Sequence, residues 1–459
     1  MSNFSYYAPD KINRILSEED NVYFIGIGGV SMSSLAEISK KKVSRVAGSD
    51  RTLSPVTEAL EAEGIKVYEG HHAENCRDYT VFVYNSAIHE DNPEYKYAKE
   101  NGCPLIRRAD FLGYVVTFFK QSVGVAGTHG KSTSTAMLAS ALIEAGLDPT
   151  VLNGAVMRDI NSSYRRGGDG VLCFEACEYT DSFLSFYPQT ALVLNIGFDH
   201  ADYFKNADAY TESFKKYIGQ SPSAVVNVDS TNCKKAIEGY TGKLIKCGMS
   251  KNADVYAENL RTDGKYPEFD AIYKGKKYAH IKLGVFGIHN VYNALCCIGA
   301  CVLLGVDGKS AAKGIAKFKG VARRFELRGK CNGAEIYDDY AHHPDEIEAT
   351  LKTAREQTEG KLYVAFQPHT YSRTAEFYDG FINAFKDCDE VIFCDIYAAR
   401  ETDTLGMSAE KLAADTKNGV YKGDFKNVAA YLKTVLRKGD AAVIMGAGNL
   451  NSIIPDLIS

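Results

Sequence analysis

A lysine and a serine in the middle of the chain carry the strongest chemical signal. Lys131 and Ser132 lie in the run GTHGKSTST at residues 127–135. An apolar strand, SVGVAG, precedes it and a helical stretch, KSTSTAMLASALIEAG, follows. Such a strand–turn–helix aims backbone N–H groups and the positive end of a helix dipole at one point, which favours an anion. Lys131 would reach the outer phosphates of a nucleotide, and the Ser132 hydroxyl would ligate Mg²⁺. Gly127, Thr128, His129, Gly130 and Thr133 complete the cradle. The strict phosphate-loop pattern asks for glycine at position 125, where this chain has Val125, so the match is to a variant. The alternative is an ordinary glycine turn with a solvated lysine; the strand before and the helix after favour the nucleotide.

A second glycine turn, GIGGVSMS at 26–33, stands a hundred residues earlier. Gly26 and Gly28 fit the first two glycines of a dinucleotide fingerprint, Ser31 occupies the third position, and Asp50 falls about 20 residues on. The loop recognises a pyrophosphate, so NAD and another pyrophosphate ligand both remain open. Carboxylates and histidines cluster at other strand ends. Glu175 and Glu178 in CFEACEYTDSFL suit a divalent cation, and Asp199 and His200 follow the strand of LNIGFDHADYF. His289, Asn290 and Asn293 open a helix; Asn293 would read an adenine edge, whereas Asn290 would equally serve as a cap. Arg323 and Arg324 in VARRFE could hold developing phosphoryl charge. DDYAHHPDEI and FQPHTYSRT gather Asp338, Asp339, Tyr340, His342, His343, His369 and Arg373.

These residues need rigid elements to position them, and the chain supplies three α/β units. Short apolar strands alternate with helices over 21–119, which predicts a parallel, Rossmann-like sheet. A second alternation starts at SVGVAG, includes an expected hairpin in AIYKGKKYAHIKLGVFG, and closes on the helix HNVYNALCCIGACVLLG. A third runs through AEIYDDYA, KLYVAF, EVIFCDIY and DAAVIMGAG. The domains are expected at 1–119, 120–320 and 321–459, as a Rossmann-like domain, a central P-loop-type ATPase domain and a C-terminal Rossmann-like α/β domain.

Composition narrows the class. A chain of 459 residues is too long for one core. The net charge of −5 argues against non-specific nucleic-acid binding. No signal peptide and no apolar run of membrane-spanning length is present, so the expectation is cytoplasmic. The 12 cysteines show no CxxC spacing and sit largely in apolar runs, as reduced, buried thiols do.

In their order along the chain, GTHGKST, EACEYTDSFL, NIGFDHADYF, GIHNVYNA, RRFE, DDYAHHPDEI and QPHTYSRT resemble the Mur ligase family of peptidoglycan synthesis. The resemblance implies a first domain that binds a UDP-sugar, a central one that binds ATP, and a third that binds an amino acid. It puts Gly26, Gly28, Gly29, Ser31, Ser33, Asp50, Ser54, His71, Ser86 and Arg107 on the UDP-sugar. It puts residues 127–133 with Asn293, Arg324 and Asp339 on ATP, and Ser132, Glu175 and His200 on the metal. Tyr340, His342, His369 and Arg373 would hold L-alanine and the lactyl end of the sugar. Thr370 replaces an arginine seen in some members. Some relatives carry a carbamylated lysine near the metal, and Lys215 and Lys216 lie at a comparable distance after DHADYF.

The implied reaction joins L-alanine to the lactyl carboxylate of UDP-N-acetylmuramate through an acyl phosphate, the first peptide step of peptidoglycan precursor synthesis. Lys131 would neutralise phosphate charge, and His200 or His342 would take the amine proton. A sibling ligase attaching a recycled murein peptide, a folate-type polyglutamate ligase, a nucleotide-gated binding protein and an NAD-dependent dehydrogenase are the competing readings. A monomer and a homodimer both remain open.

Overall fold

Strands that are buried on both faces read as unbroken apolar runs, and three such sheets organise the chain. The structure is a computed structural model that describes residues 7–200, 203–264, 266–399 and 401–458. The first sheet has five parallel strands in the order Lys66–Glu69, Arg45–Asp50, Asn21–Ile25, Phe82–Tyr84, Leu105–Arg107. Every residue of the central strand Asn21–Ile25 is buried. The chain moves outward to one side of that strand and then to the other. The glycine turn 26–29 therefore lies at the switch point, where open α/β sheets bind ligands.

The second sheet has ten strands. At its heart Gln121–Ala126 runs parallel between Val171–Glu175 and Thr190–Val193. Helices Lys131–Glu144 and Ile288–Leu303 pack on one face and on each other. That double burial explains why residues 293–301 of the second helix, cysteines included, are all buried. On the other face helix Ala207–Gly219 seats Tyr217 flat on Phe183, ring centroids 4.6 Å apart. The expected hairpin is present as Glu268–Tyr273 and Lys276–Lys282, but as one edge of this sheet rather than as a separate ribbon. The hairpin Thr150–Met157 with Ser162–Arg165 and the strands Lys243–Gly248 and Val255–Arg261 went unread, because they are partly exposed and carry no clean alternation. Helix Gly308–Lys317 extends the unit past its expected closing helix.

The third sheet runs Glu326–Cys331, Ala334–Asp339, Ala441–Met445, Leu362–Phe366, Glu390–Cys394, Gly419–Gly423, parallel except for the first pair. Its two edge strands are the ones the sequence pattern missed, as both are largely exposed or half-buried. All 12 cysteines are free and ten are buried. No helix among the described residues is long and apolar enough to cross a membrane.

Candidate active site

Val125, where a strict phosphate loop would have glycine, is a fully buried residue of the strand Gln121–Ala126. The turn starts one residue after the strand, and glycine is required at Gly127 (φ +146°) and Gly130 (φ +85°) instead. A Cβ on Gly130 would also lie 2.9 Å from Asn293 Oδ1, so the loop and the asparagine are in contact distance. The loop is laced to the end of the neighbouring strand. His129 N–H donates to Asn195 Oδ1 (2.9 Å), Asn195 Nδ2 donates to His129 O (2.9 Å), and the Thr128 hydroxyl donates to Gly197 O (2.7 Å). The conformation of the cradle is thus fixed by its own chain.

Lys131 folds back over this loop. Its ammonium donates to Gly127 O (2.6 Å), Thr128 O (3.1 Å) and Glu178 Oε1 (3.0 Å). Burial opposes the charge, but Glu178 beside it pushes the lysine up to about 12. Glu178 is 1% exposed and also accepts from the Tyr210 hydroxyl (3.2 Å). His200 Nε2 stands 3.6 Å from Glu178 Oε1, and its ring lies against Tyr179. The Ser132 hydroxyl donates to Glu175 Oε1, which also takes the Gly154 N–H at 3.1 Å. Of the three expected metal ligands, Ser132 and Glu175 are brought together, and His200 faces Glu178 instead. Lys215 and Lys216 of helix Ala207–Gly219 are both exposed.

The third unit meets the loop through Glu346. Its carboxylate accepts from His129 Nδ1 (3.2 Å), Arg324 Nη1 (3.3 Å) and the His342 N–H (3.2 Å). Burial opposes that charge, yet His342, Arg324 and His129 hold the carboxyl well below its usual range. Of these two anchors, Glu178 was read as a carboxylate suited to a divalent cation and instead pairs with Lys131, and Glu346 was not read as a site residue although it sits in a quoted motif. Asp339 accepts from the N–H groups of Phe325 (2.6 Å) and Ala341 (2.7 Å). Burial raises its pKa to about 6.

Between the second and third units lies a cleft of about 760 Å³. It reaches from His129 and Gly130 past Asn293 and Arg324 to an aromatic row. Tyr266 and Phe286 are 4.7 Å apart, Phe286 and Phe325 5.7 Å, and Phe325 stacks on Tyr337 at 4.3 Å. A row of rings in a cleft that ends on a phosphate-type loop offers a purine a stacking surface. Sequence reading missed it because three separate loops and a strand supply the rings. The expected cluster around the amino-acid end does assemble. Arg323 and Arg324 lie over the Tyr340 ring, Arg373 Nη1 is 3.4 Å from His369 Nδ1, and Arg373 Nη2 is 3.4 Å from Asp199. Thr370 takes φ +64° and caps the helix Tyr371–Glu376. A β-branched residue held there marks a backbone fixed by its surroundings.

His342 is part of this cluster, and burial followed by the Arg373 charge outweighs the attraction of Glu346, lowering its pKa to about 4. A histidine depressed in the folded state loses stability as pH falls from 6.5 toward 4. Compared with the wild type, His342→Asn should therefore gain up to about 3 kcal/mol of relative stability over that interval. Asp339→Asn should show the opposite slope, since the raised carboxyl costs stability as pH rises toward 6. Urea midpoints at stepped pH test both signs, and a His342→Asn difference that stays flat from pH 6.5 to 4 would refute the assignment.

In the first unit, Gly28 N–H donates to Asp50 Oδ2 at 2.8 Å, and a Cβ there would meet the same oxygen at 2.9 Å. Gly26 (φ +81°), Gly29, Ser31 and Asp50 thus share the loop mouth. The remaining expected contacts have local duties. Ser54 caps helix Pro55–Ala62, Ser33 donates to Val30 O (3.2 Å), and Arg107 pairs with Asp110 at 2.9 Å. His71 Nδ1 is held by Ser49 (2.9 Å) and the buried Glu94 (3.1 Å), and Ser86 is exposed past the strand Phe82–Tyr84. Arg108, not anticipated, places Nη1 3.3 Å from the Ser31 hydroxyl.

Three parallel or mixed α/β units, with a phosphate-type loop on the second and a cleft shared with the third, define an ATP-using ligase architecture. Residues 21–120 match the Mur ligase family, catalytic domain; residues 125–301 the Mur ligase middle domain; and residues 323–448 the Mur ligase, glutamate ligase domain. The chain belongs to the Mur ligase family. It is 42% identical over 447 residues to the UDP-N-acetylmuramate–L-alanine ligase of Caldanaerobacter subterraneus subsp. tengcongensis, covering 95% of this chain and 97% of the relative. It is 41% identical over 451 residues to the enzyme of that name from Lachnospira eligens, covering 95% and 98%. Among solved structures it is similar to the UDP-N-acetylmuramate–alanine ligase of Thermotoga maritima, with a TM-score of 0.79, 26% identity, and 95% and 98% of the two chains covered. It is also similar to a murein peptide ligase of Psychrobacter arcticus, with a TM-score of 0.70, 25% identity, and 95% and 98% covered.

Proposed function

We propose that this enzyme is an ATP-dependent ligase that joins L-alanine to the lactyl carboxylate of UDP-N-acetylmuramate, the first peptide step of peptidoglycan precursor synthesis. The observation that carries it is the near-full-length identity of about 40% to ligases of that name, together with a phosphate-type loop facing a purine-sized aromatic cleft. The units 1–119, 120–320 and 321–459 take the sugar nucleotide, ATP and the amino acid. The loop at 26–33 grips a pyrophosphate that is never broken, with Arg108 beside Ser31. The loop at 127–133 grips the ATP whose outer phosphate moves, and the adenine lies along Phe286 and Phe325, its edge toward Asn293.

The donors at Ser132 and Glu175 fit a hard divalent cation: both are oxygens, and the missing Cβ of Gly154 leaves the carboxylate room, since a Cβ would lie 2.6 Å from both its oxygens. His200 would join them by turning from Glu178. Mg²⁺ held there supplies charge neutralisation to the phosphates. Lys131, poised on the loop carbonyls, neutralises the phosphoryl group as the lactyl carboxylate attacks it. The bond from the outer phosphorus to the bridging oxygen breaks, giving an acyl phosphate and ADP; the alanine amine then attacks the acyl carbon, and inorganic phosphate leaves as the amide forms. Arg324 and Arg373 orient the reacting carboxylates, and the unit interfaces exclude water that would hydrolyse the intermediate. His342, neutral at pH 7, is placed to accept the proton of the attacking alanine amine.

The second reading, transfer of a recycled murein peptide, has in its favour the likeness to a murein peptide ligase structure. Phosphate release with ATP, UDP-N-acetylmuramate and either L-alanine, glycine, L-serine or the tripeptide separates the two. L-alanine should give the highest kcat/KM. Faster turnover with the tripeptide, or none with any acceptor, would overturn the proposal.

A further inference from the structure

His343 and Asp345 have no part in the ligase chemistry above, yet they converge with His129 where the phosphate loop meets the third unit. Each of the three offers a ligand atom, all within 4.8 Å of one another, and this is the one such group of His, Cys, Asp or Glu among the described residues. Nε2 of His129 and Nε2 of His343 are both buried and have no hydrogen-bond partner. His343 is only 4% exposed. An unpaired imidazole nitrogen in such a place has lost water without gaining a protein partner.

The surrounding bonds prepare the His129 ring as a ligand and hold the His343 ring in place. His129 Nδ1 lies 3.2 Å from Glu346 Oε1, which keeps the ring proton on Nδ1 and leaves a lone pair on Nε2. His343 holds its ring by capping helix Pro344–Gln357, with a long contact of 3.3 Å from the Asp345 N–H to Nδ1. That contact yields when a metal at Nε2 moves the ring proton to Nδ1. Burial and the neighbouring His129 favour the uncharged form of His343, the form a metal binds. The Asp345 carboxylate is 70% exposed and 3.8 Å from His343, free to swing inward.

We propose that His129, His343 and Asp345 form a site for a borderline transition-metal cation of the Zn²⁺ class, which staples the phosphate loop to the third unit and holds the enzyme shut. Two nitrogens and one carboxylate, with a fourth position left for water, match the donor set of an open tetrahedral zinc site. The all-oxygen pair Ser132–Glu175 suits Mg²⁺, so donor chemistry separates the two cations. Because turnover needs the units to part, metal at the staple inhibits. Only this last consequence rests on the proposed ligase function.

The test uses the full chain after chelator treatment, without nucleotide. Calorimetry with Zn²⁺ should give one site per chain. Co²⁺ in its place should show the visible bands of a tetrahedral nitrogen–oxygen site without a thiolate charge-transfer band, which separates this site from the cysteines. Asp345→Asn, and His343→Asn, which retains a helix cap, should each weaken Zn²⁺ binding by at least about tenfold. They should raise the Zn²⁺ concentration needed to inhibit phosphate release by a similar factor. No binding, a thiolate band, or affinity unchanged in both variants would overturn the site. Binding that is lost in the variants of a protein with no ligase turnover would overturn the function and leave the site standing.

Discussion

Lys131→Ala is expected to lower phosphate release by at least about 10³-fold, the scale on which a cation stabilising phosphoryl transfer acts. UDP-N-acetylmuramate binding by calorimetry should stay within about twofold, because removing one contact at a separate site leaves a distant affinity nearly additive. The lysine also has a structural duty that must be separated from the chemical one. Glu178, 1% exposed, would lose its cation and be left with the Tyr210 hydroxyl and His200 beside it, a change worth up to about 3–5 kcal/mol. The double variant Lys131→Ala, Glu178→Gln removes that charge and should recover most of the lost stability without recovering turnover. Retention of more than about a tenth of wild-type turnover by the folded double variant would show that this loop does not hold the transferred phosphate.

Glu346→Ala is the second large effect. One carboxylate gathers His129 from the phosphate loop and Arg324 and His342 from the third unit. Its loss leaves Arg324 unpaired on the cleft wall, about 30% exposed, so the stability cost should be about 2 kcal/mol rather than the larger value for a sealed pair. Catalysis should suffer more. The two halves of the cleft lose their common anchor, and kcat/KM for ATP should fall about 10²-fold, as a small misplacement of reacting groups does. Small-angle scattering with ATP present should show a more extended particle than the wild type. Glu346→Gln, which keeps an acceptor, should fall between. Kinetics within twofold of wild type for Glu346→Ala would remove the anchor from the mechanism.

The legibility of this chain follows a physical line. The phosphate loop was readable because the residues that do the work are adjacent: glycine at two strained positions, then lysine and a hydroxyl at the start of a helix. The strands beneath it were readable because parallel strands covered on both faces are apolar throughout. The edge strand Gly419–Gly423 and the inner strand Lys243–Gly248 were not, since partial exposure leaves no period to detect. Within the site, the sequence names donors but not what they bond to. Asp50 is turned to Gly28, Ser54 to its own helix and His71 to a buried glutamate, all satisfactions of backbone or core that spacing does not reveal. Glu178 and Glu346 stood in plain view in their motifs, yet their importance arises from partners 47 and 217 residues away. Arg108 was passed over for Arg107 one residue earlier, and only the Arg107–Asp110 pair shows which of the two remains turned to the glycine loop.

The aromatic row has a thermodynamic meaning of its own. Tyr266 and Phe286 come from one folding unit, and Phe325 and Tyr337 from the segment that enters the next. A base stacked across both finds its full platform only in the fraction of molecules whose units are joined. The measured affinity for ATP is then the intrinsic affinity multiplied by that fraction. A substitution far from any nucleotide atom that loosens the joint will look like a weakened binding site, although every contact remains intact. Conversely, any ligand that favours the joined form will tighten ATP without touching it.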